Sequence, residues 1–391
     1  MQIHRALVVP FLLAAGAFSA GCSTVAPTHT APAQDVRVEG VSGATSLEEA
    51  LRRAGDTQLV CFGESHDDRA HHELQLEVLR AMADASDAPL MLGMEMFQRP
   101  YQQHLDDYVA GRIDEREMLR RTEYFGRWNF DYTLYAPLWR FCRERGIRVV
   151  GLNAPRDVVR QIGRQGLDSL DDTQRALIAS EIDLTIPSHK ERIMGVFSGG
   201  VHPMPPERLA RMYEAQTTWD ETMAESAAMA LEAAGPDARM LVLAGSYHIQ
   251  EFDGIPLRIQ RRLPHLDPLV IVARSEGRWP EEGVIVAQLG HYVVVPVDER
   301  PRLGVAFAPD SLDVASVAPG GAAAAAGVEA GDRIVAISGT DVADLVDVRY
   351  VLDPLRLGSE GTITVERNGT RTTMSTRWIP TPQPRTRMPA R

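Results

Sequence analysis

The chain has 391 residues, enough for two or three domains, and its 44% hydrophobic and 24% charged content is ordinary for a soluble globular protein. A formal net charge of −12 without a clustered basic stripe argues against nucleic-acid binding, which needs Lys and Arg gathered on one face to meet phosphates. None of the three cysteines stands in a CxxC pair, so neither a redox dithiol nor a covalent c-type haem motif is present. Cys61 in an apolar run and Cys142 in a helical pattern read as buried thiols.

At the start of the chain, His4 and Arg5 precede an apolar run over 6–18 that is too short to span a bilayer and fits the h-region of a secretory signal. The run ends in Ser19-Ala20-Gly21-Cys22, which resembles a bacterial lipobox and implies lipidation of Cys22. Ser23 after it resembles the outer-membrane sorting pattern. Residues 1–21 therefore read as a lipoprotein signal. Residues 22–44, rich in Ser, Thr, Pro and Ala, read as the anchor and a disordered tether. No later run is apolar enough to span a membrane. The expectation is an exported body facing the periplasm, held to the membrane through a lipid anchor only.

Between residues 45 and 298, short apolar runs at 58–62, 90–95, 148–152, 240–244 and 269–272 alternate with helical periods at 70–85, 101–122, 135–145, 172–180 and 206–234. The runs are continuous and partly β-branched, as strands buried on both faces are. Their alternation with helices predicts an α/β domain with a mostly parallel sheet flanked by helices. After Pro301 the texture turns to short strands and Gly-rich turns, predicting a small β-rich domain over 299–379. Residues 380–391, rich in Pro and Arg, read as a disordered tail.

Ligands of open α/β sheets bind at the carboxyl ends of the strands. The first four runs deliver to that rim Glu64 and His66, then Glu95, then Asn153 and Arg156, then Tyr247 and His248. In the period at 70–85, His71 and Gln75 fall within the apolar stripe of Leu74, Val78, Leu79 and Met82, so they need hydrogen-bond partners or a role in the site. His72 and Glu73 fall off the stripe and read as solvated. Imidazole with carboxylate suits a metal such as zinc or iron, general acid–base work, or a frame for haem or an anion. HExxH, GxSxG, Walker and GxGxxG motifs are absent.

Five ordered blocks carry a resemblance: FGESHDDRAHHELQLEVL, GMEMFQRPYQQHLDDYVAG, RWNFDYTLYAPLWRFCRERGIRVVGLNAPRDVVR, MYEAQTTWDETMAES and LAGSYHIQEFDGIP. Together they resemble the ChaN-like haem-binding uptake family of the Tiki/TraB/erythromycin-esterase superfamily. The resemblance implies an exported or lipid-anchored iron-uptake accessory that binds haem, with distant kinship to metal-dependent proteases and esterases. Glu64, His66, Glu95 and His248 match the family's motifs, and Asn153, Arg156 and Trp219-Asp220 lie in further matching blocks. It also implies a tyrosine as iron ligand, with Tyr101 and Tyr247 as candidates. Met94, Met96, Phe97 and Trp128 read either as an apolar slot for the macrocycle or as plain core.

In the last domain, LGV at 303–305, VAP at 317–319 and AGVEAGDRIVAISG resemble a PDZ domain of the bacterial protease-associated kind. That resemblance implies capture of protein C-termini by strand addition. Leu303, Gly304 and Val305 would form the carboxylate loop, and Phe307 would lie on the receiving strand. A helix from Val346 through Tyr350 would wall the groove.

Three readings follow. In the first, the front domain binds haem or another iron or metal ligand, and the PDZ domain recruits a protein partner. In the second, the same Glu64, His66, Glu95 and His248 serve a metal-dependent hydrolase of peptides or esters, with zinc or manganese as cofactor. In the third, the chain is a scaffold and the polar cluster a remnant.

Overall fold

The computed structural model describes residues 37–40, 43–198, 205–274, 284–288 and 301–379. The signal at 1–21, Cys22, the domain boundary near 298 and the tail at 380–391 lie outside the described residues. Among the described residues no helix is long and apolar enough to cross a membrane.

Strands β1 (Arg37–Gly40), β2 (Gly43–Thr45), β3 (Leu59–Glu64), β4 (Leu90–Gln98), β5 (Arg148–Asn153), β6 (Arg239–Gly245), β7 (Leu269–Arg274) and β8 (Val284–Gln288) form one sheet in the order β2-β1-β8-β7-β3-β6-β4-β5. The run from β8 to β5 is parallel throughout. β1 and β2 join it antiparallel, so the end of the segment read as tether is an edge of the sheet instead.

The strands alternate faces at period two, and each face is covered. Val60, Phe62, Leu241 and Leu243 enter one apolar cluster with the helices Arg69–Ala85 and Tyr132–Arg145. Leu59, Cys61, Met240, Val242 and Ala244 enter another with the helices Pro206–Ala234 and Ile255–Arg262. This double burial explains the uninterrupted apolar runs. Cys61 and Cys142 are both buried free thiols, as read, and burial pushes each thiol well above its ordinary pKa. Buried Arg239 opens β6 and donates to the carbonyls of Met82 and Gly55, near the C-terminal ends of two helices, where a cation meets the negative end of the dipole.

Two helical expectations are corrected. The period at 101–122 is broken into Gln102–Val109 and Glu115–Arg121, because Gly111 turns left-handed at φ 73° and Asp114 starts a new helix by capping the Glu117 amide at 2.8 Å. The period at 172–180 keeps only the turn Asp172–Arg175.

The second domain holds β9 (Val305–Phe307) with β10 (Val314–Val317), and β11 (Arg333–Ile337), β12 (Thr340–Asp341), β13 (Glu360–Arg367) and β14 (Thr370–Arg377) in the order β12-β11-β13-β14. Its own core gathers Leu303, Ile334, Val348, Leu352 and fully buried Trp378. Among the described residues β9 pairs with β10 alone.

Candidate functional site at the carboxyl rim of the sheet

β3 ends on Glu64, buried at the rim, and the turn after it places His66 Nδ1 2.6 Å from Glu64 Oε1. The His66 ring is walled by Trp128 and Phe130, with ring centres at 4.7 and 4.9 Å. Gly245, the last residue of neighbouring β6, makes the room: a Cβ there would stand 2.9 Å from the imidazole. Tyr135 from the covering helix reaches the same turn, its hydroxyl donating to the His66 carbonyl at 3.1 Å and lying 3.5 Å from Glu64 Oε1.

β4 contributes Glu95 through an irregularity. Its pairing with β5 shifts between Met94 and Gln98, three intervening residues facing one, and such bulges re-aim side chains. Glu95 Oε2 then accepts the Gly245 amide at 2.7 Å, and the Glu95 carbonyl accepts Asn153 Nδ2 at 2.9 Å. From the helix after β6, His248 Nε2 lies 3.5 Å from Glu95 Oε1. On its other side His248 Nδ1 bonds Asp220 Oδ1, and Asp220 Oδ2 lies 2.7 Å from Nε2 of fully buried His189. Two imidazole–carboxylate pairs thus flank Glu95.

The charges are set by these pairs. Burial pushes the His66 imidazole down, but the hydrogen bond and charge of Glu64, with Glu95 and Asp67 behind it, raise it to about 9. Burial works likewise against His248, and Glu95 and Asp220 outweigh it upward. Burial would lift the carboxyls of Glu64 and Asp220; the imidazoles beside them, helped at Asp220 by Arg258, hold both below the usual carboxylate range. Two acceptors remain open: among the described residues Glu64 Oε2 and Asn153 Oδ1 are buried and meet no hydrogen-bond partner. Acceptors in that state invite a ligand with N–H or O–H donors.

The structure therefore brings Glu64, His66, Glu95, Asn153 and His248 together. His71 and Gln75 are buried in the helix face as read, but they brace rather than face the rim. His71 Nδ1 accepts the Ser65 amide at 2.9 Å, and Gln75 Oε1 meets His72 Nδ1 at 2.9 Å. His72 is buried rather than solvated, because the helix Tyr132–Arg145 covers that side and sets Tyr135 4.3 Å from its ring. Arg156 is exposed and donates to the Gly126 carbonyl at 3.0 Å, outside the cluster. Met94, Met96 and Phe97 are core, with no more than 2% of their surface exposed, so they line no slot. Tyr247 is 56% exposed on the rim beside His248, and its carbonyl accepts Arg192 at 2.8 Å. Tyr101 is half-buried beneath the Arg127 guanidinium, and burial raises its phenol pKa. Among the described residues no three His, Cys, Asp or Glu side chains are placed to share a metal ion.

His189 and Tyr135 carry no sign in the sequence pattern. Gln216 and Asp220 stand one helical turn apart on the buried face of Pro206–Ala234, a polar pair of the kind that betrayed His71 and Gln75. The loop behind His248 is equally tight: a Cβ on Gly254 would stand 2.1 Å from the His248 carbonyl oxygen. Gly254→Ala is expected to displace His248 and cost about 3 kcal/mol, read as a lower urea midpoint. An unchanged midpoint would show that the loop yields freely.

In the second domain Leu303 is buried, Gly304 holds φ 76° as only glycine does readily, and Val305, Phe307 and Val346 are half-buried. Tyr350 is turned against the front domain, stacked on Tyr132 with ring centres 5.2 Å apart.

Residues 50–259 match the family described as haem-binding uptake, Tiki superfamily, ChaN, and residues 301–377 match the PDZ domain family. The solved ChaN of Campylobacter jejuni, which binds haem cofacially, is similar in fold: the TM-score is 0.50 at 19% identity, covering 65% of this chain and 98% of that one. An HtrA-type protease, AlgW, solved with a decapeptide, is 27% identical over 22% of this chain and 31% of its own, with a TM-score of 0.20. The Arabidopsis thaliana protein RETICULATA-RELATED 5, chloroplastic, is 25% identical over 240 residues, 57% of this chain. The chain spans about a third of that relative's length, 32%. Built on a parallel sheet whose rim gathers the matched Glu and His residues, and followed by a PDZ domain, the chain belongs to the haem-binding uptake family ChaN of the Tiki superfamily.

Proposed function

We propose that the chain is an exported, lipid-anchored envelope protein that binds haem at the carboxyl rim of its sheet and recruits a protein C-terminus through its PDZ domain, in the service of iron uptake. The observation that carries the haem reading is Tyr247, an exposed phenol directly on the rim, beside His248 and Arg192. An exposed ligand fits a macrocycle lying against the surface, not one in a closed slot. Bound haem would supply an iron centre, which a tyrosine can ligate. Tyr247 would hold the iron, and Arg192, paired with buried Asp253 and donating to the Tyr247 carbonyl, fixes the backbone that carries it. Tyr101 is the weaker candidate, since it is half-buried and the Arg127 guanidinium covers its ring.

Haem titration of the purified chain, followed by absorbance, tests this. A saturable Soret shift that weakens at least tenfold in Tyr247→Ala but not in Tyr101→Ala is the expected result, about 1.4 kcal/mol of binding energy or more. Weakening confined to Tyr101→Ala moves the ligand to that residue, and no saturable shift overturns haem binding.

A second reading, acid–base hydrolysis of a peptide or ester, draws on the two imidazole–carboxylate pairs flanking Glu95. It needs no shared metal, and hydrolysis lost in Glu95→Gln with an intact fold would favour it.

A further inference from the structure

The segment 125–132 of the front domain faces two ways. Trp128 and Phe130 pack on His66. The residues flanking them turn to the PDZ helix Leu345–Leu352. Phe125 lies under the Arg349 guanidinium at 5.1 Å, and Asn129 Oδ1 accepts Arg349 Nη1 at 3.2 Å. Tyr132 stacks on Tyr350 with its ring planes only 16° apart, and its hydroxyl donates to the Tyr350 carbonyl at 3.2 Å. Asn129 itself sits in the left-handed region at φ 66°, a conformation that needs support from its surroundings.

A second set of contacts clamps the same helix. Asp347 is buried and accepts Arg116 Nε at 2.5 Å, Arg120 Nη2, and the Ala343 amide at 2.8 Å. Arg120 Nε also donates to Asp344 at 2.9 Å, and Arg116 Nη2 to the Asp341 carbonyl at 3.1 Å. Both arginines stand on the front-domain helix Glu115–Arg121. A buried carboxylate held by two guanidiniums from the other domain fixes that helix in place.

We propose that Arg349 and Tyr350 of the PDZ domain are positioning residues for the rim site: through Phe125, Asn129 and Tyr132 they hold the Trp128–Phe130 wall against His66. The PDZ domain is then a working part of the site, and whatever shifts its helix also shifts the wall. The inference rests on the contacts alone and holds whether the rim binds haem or another ligand.

Hydroxyl-radical footprinting of the full chain, read residue by residue by mass spectrometry, tests it. In Tyr350→Ala, and independently in the double variant Arg116→Ala/Arg120→Ala, oxidation of Trp128 and Phe130 is expected to rise roughly threefold to tenfold. Fully buried Trp139 and Trp378 should stay protected in the same samples, which separates release of the wall from unfolding. Tyr350→Phe, which keeps the stacked ring and the backbone carbonyl, should behave as the parent. If Tyr350→Ala exposes Trp378, the double variant decides, because its changes lie on the front domain. Parental protection of Trp128 and Phe130 in the double variant, or their release together with Trp139, overturns the proposal.

Discussion

Arg258→Ala is expected to destabilise the front domain by about 3–5 kcal/mol, the cost of stranding part of a buried ionic network. Arg258 has no exposed surface and lies 3.1 Å from Glu221, itself 1% exposed and also held by Arg262 at 2.7 Å. Its other nitrogens donate to the carbonyls of Asp253 and Gly254 and to Nδ1 of His189, 3.3 Å away. The substitution therefore strands the Asp253 carbonyl, loosens His189 and, through Asp220, loosens His248. Urea unfolding should show the midpoint fall. Replacing Arg258 and Glu221 together by apolar residues should recover part of the loss, since an intact buried pair adds little over good packing. A loss below about 1 kcal/mol for the single variant would mean that solvent reaches the network and compensates it.

The Glu64–His66 pair makes stability and charge depend on pH in a defined direction. The His66 pKa is raised in the fold, from 6.5 to about 9, so its contribution is complete below about pH 6.5 and lost as pH rises through about 9. Glu64 is shifted the other way, below the ordinary carboxylate value, so its contribution holds above about pH 4.3 and is lost as pH falls through its folded value. The pair should therefore stabilise most between about pH 4.3 and 6.5. Its loss toward alkaline pH should be on the order of 2–3 kcal/mol, allowing for the 28% of the His66 side chain that solvent reaches. Glu64→Gln removes the chief group that raises the imidazole and leaves only Glu95 and Asp67 against burial, so the His66 titration followed by NMR should move down from about 9. Equal loss of stability between pH 6.5 and 9.5 in parent and Glu64→Gln would assign the dependence to other groups.

Much of this was legible before any fold was known. The five predicted core strands all appear, because parallel strands covered on both faces leave continuous apolar runs. Placing Glu64, His66, Glu95, Asn153 and His248 on one rim followed from parallelism alone, since parallel strands end on the same side. What failed, failed for physical reasons. A helical wheel detects the face toward the sheet, and nothing local shows that a second helix buries His72 from behind. The apolar residues after Glu95 suit a slot or a core equally well, and only the covering helices decide for core.

By itself, then, the sequence determined the two-domain order, the parallel sheet and its polar rim, because period, strand direction and residue chemistry are properties of short segments. The tertiary structure alone decided which carboxylate meets which imidazole. Asp220 reaches His248 across 28 positions of the chain and His189 reaches Asp220 across 31, and Arg116 finds Asp347 across 231. Partnerships at such separations depend on how whole helices cross and dock, and that is set by the fit of buried surfaces, which no local pattern records.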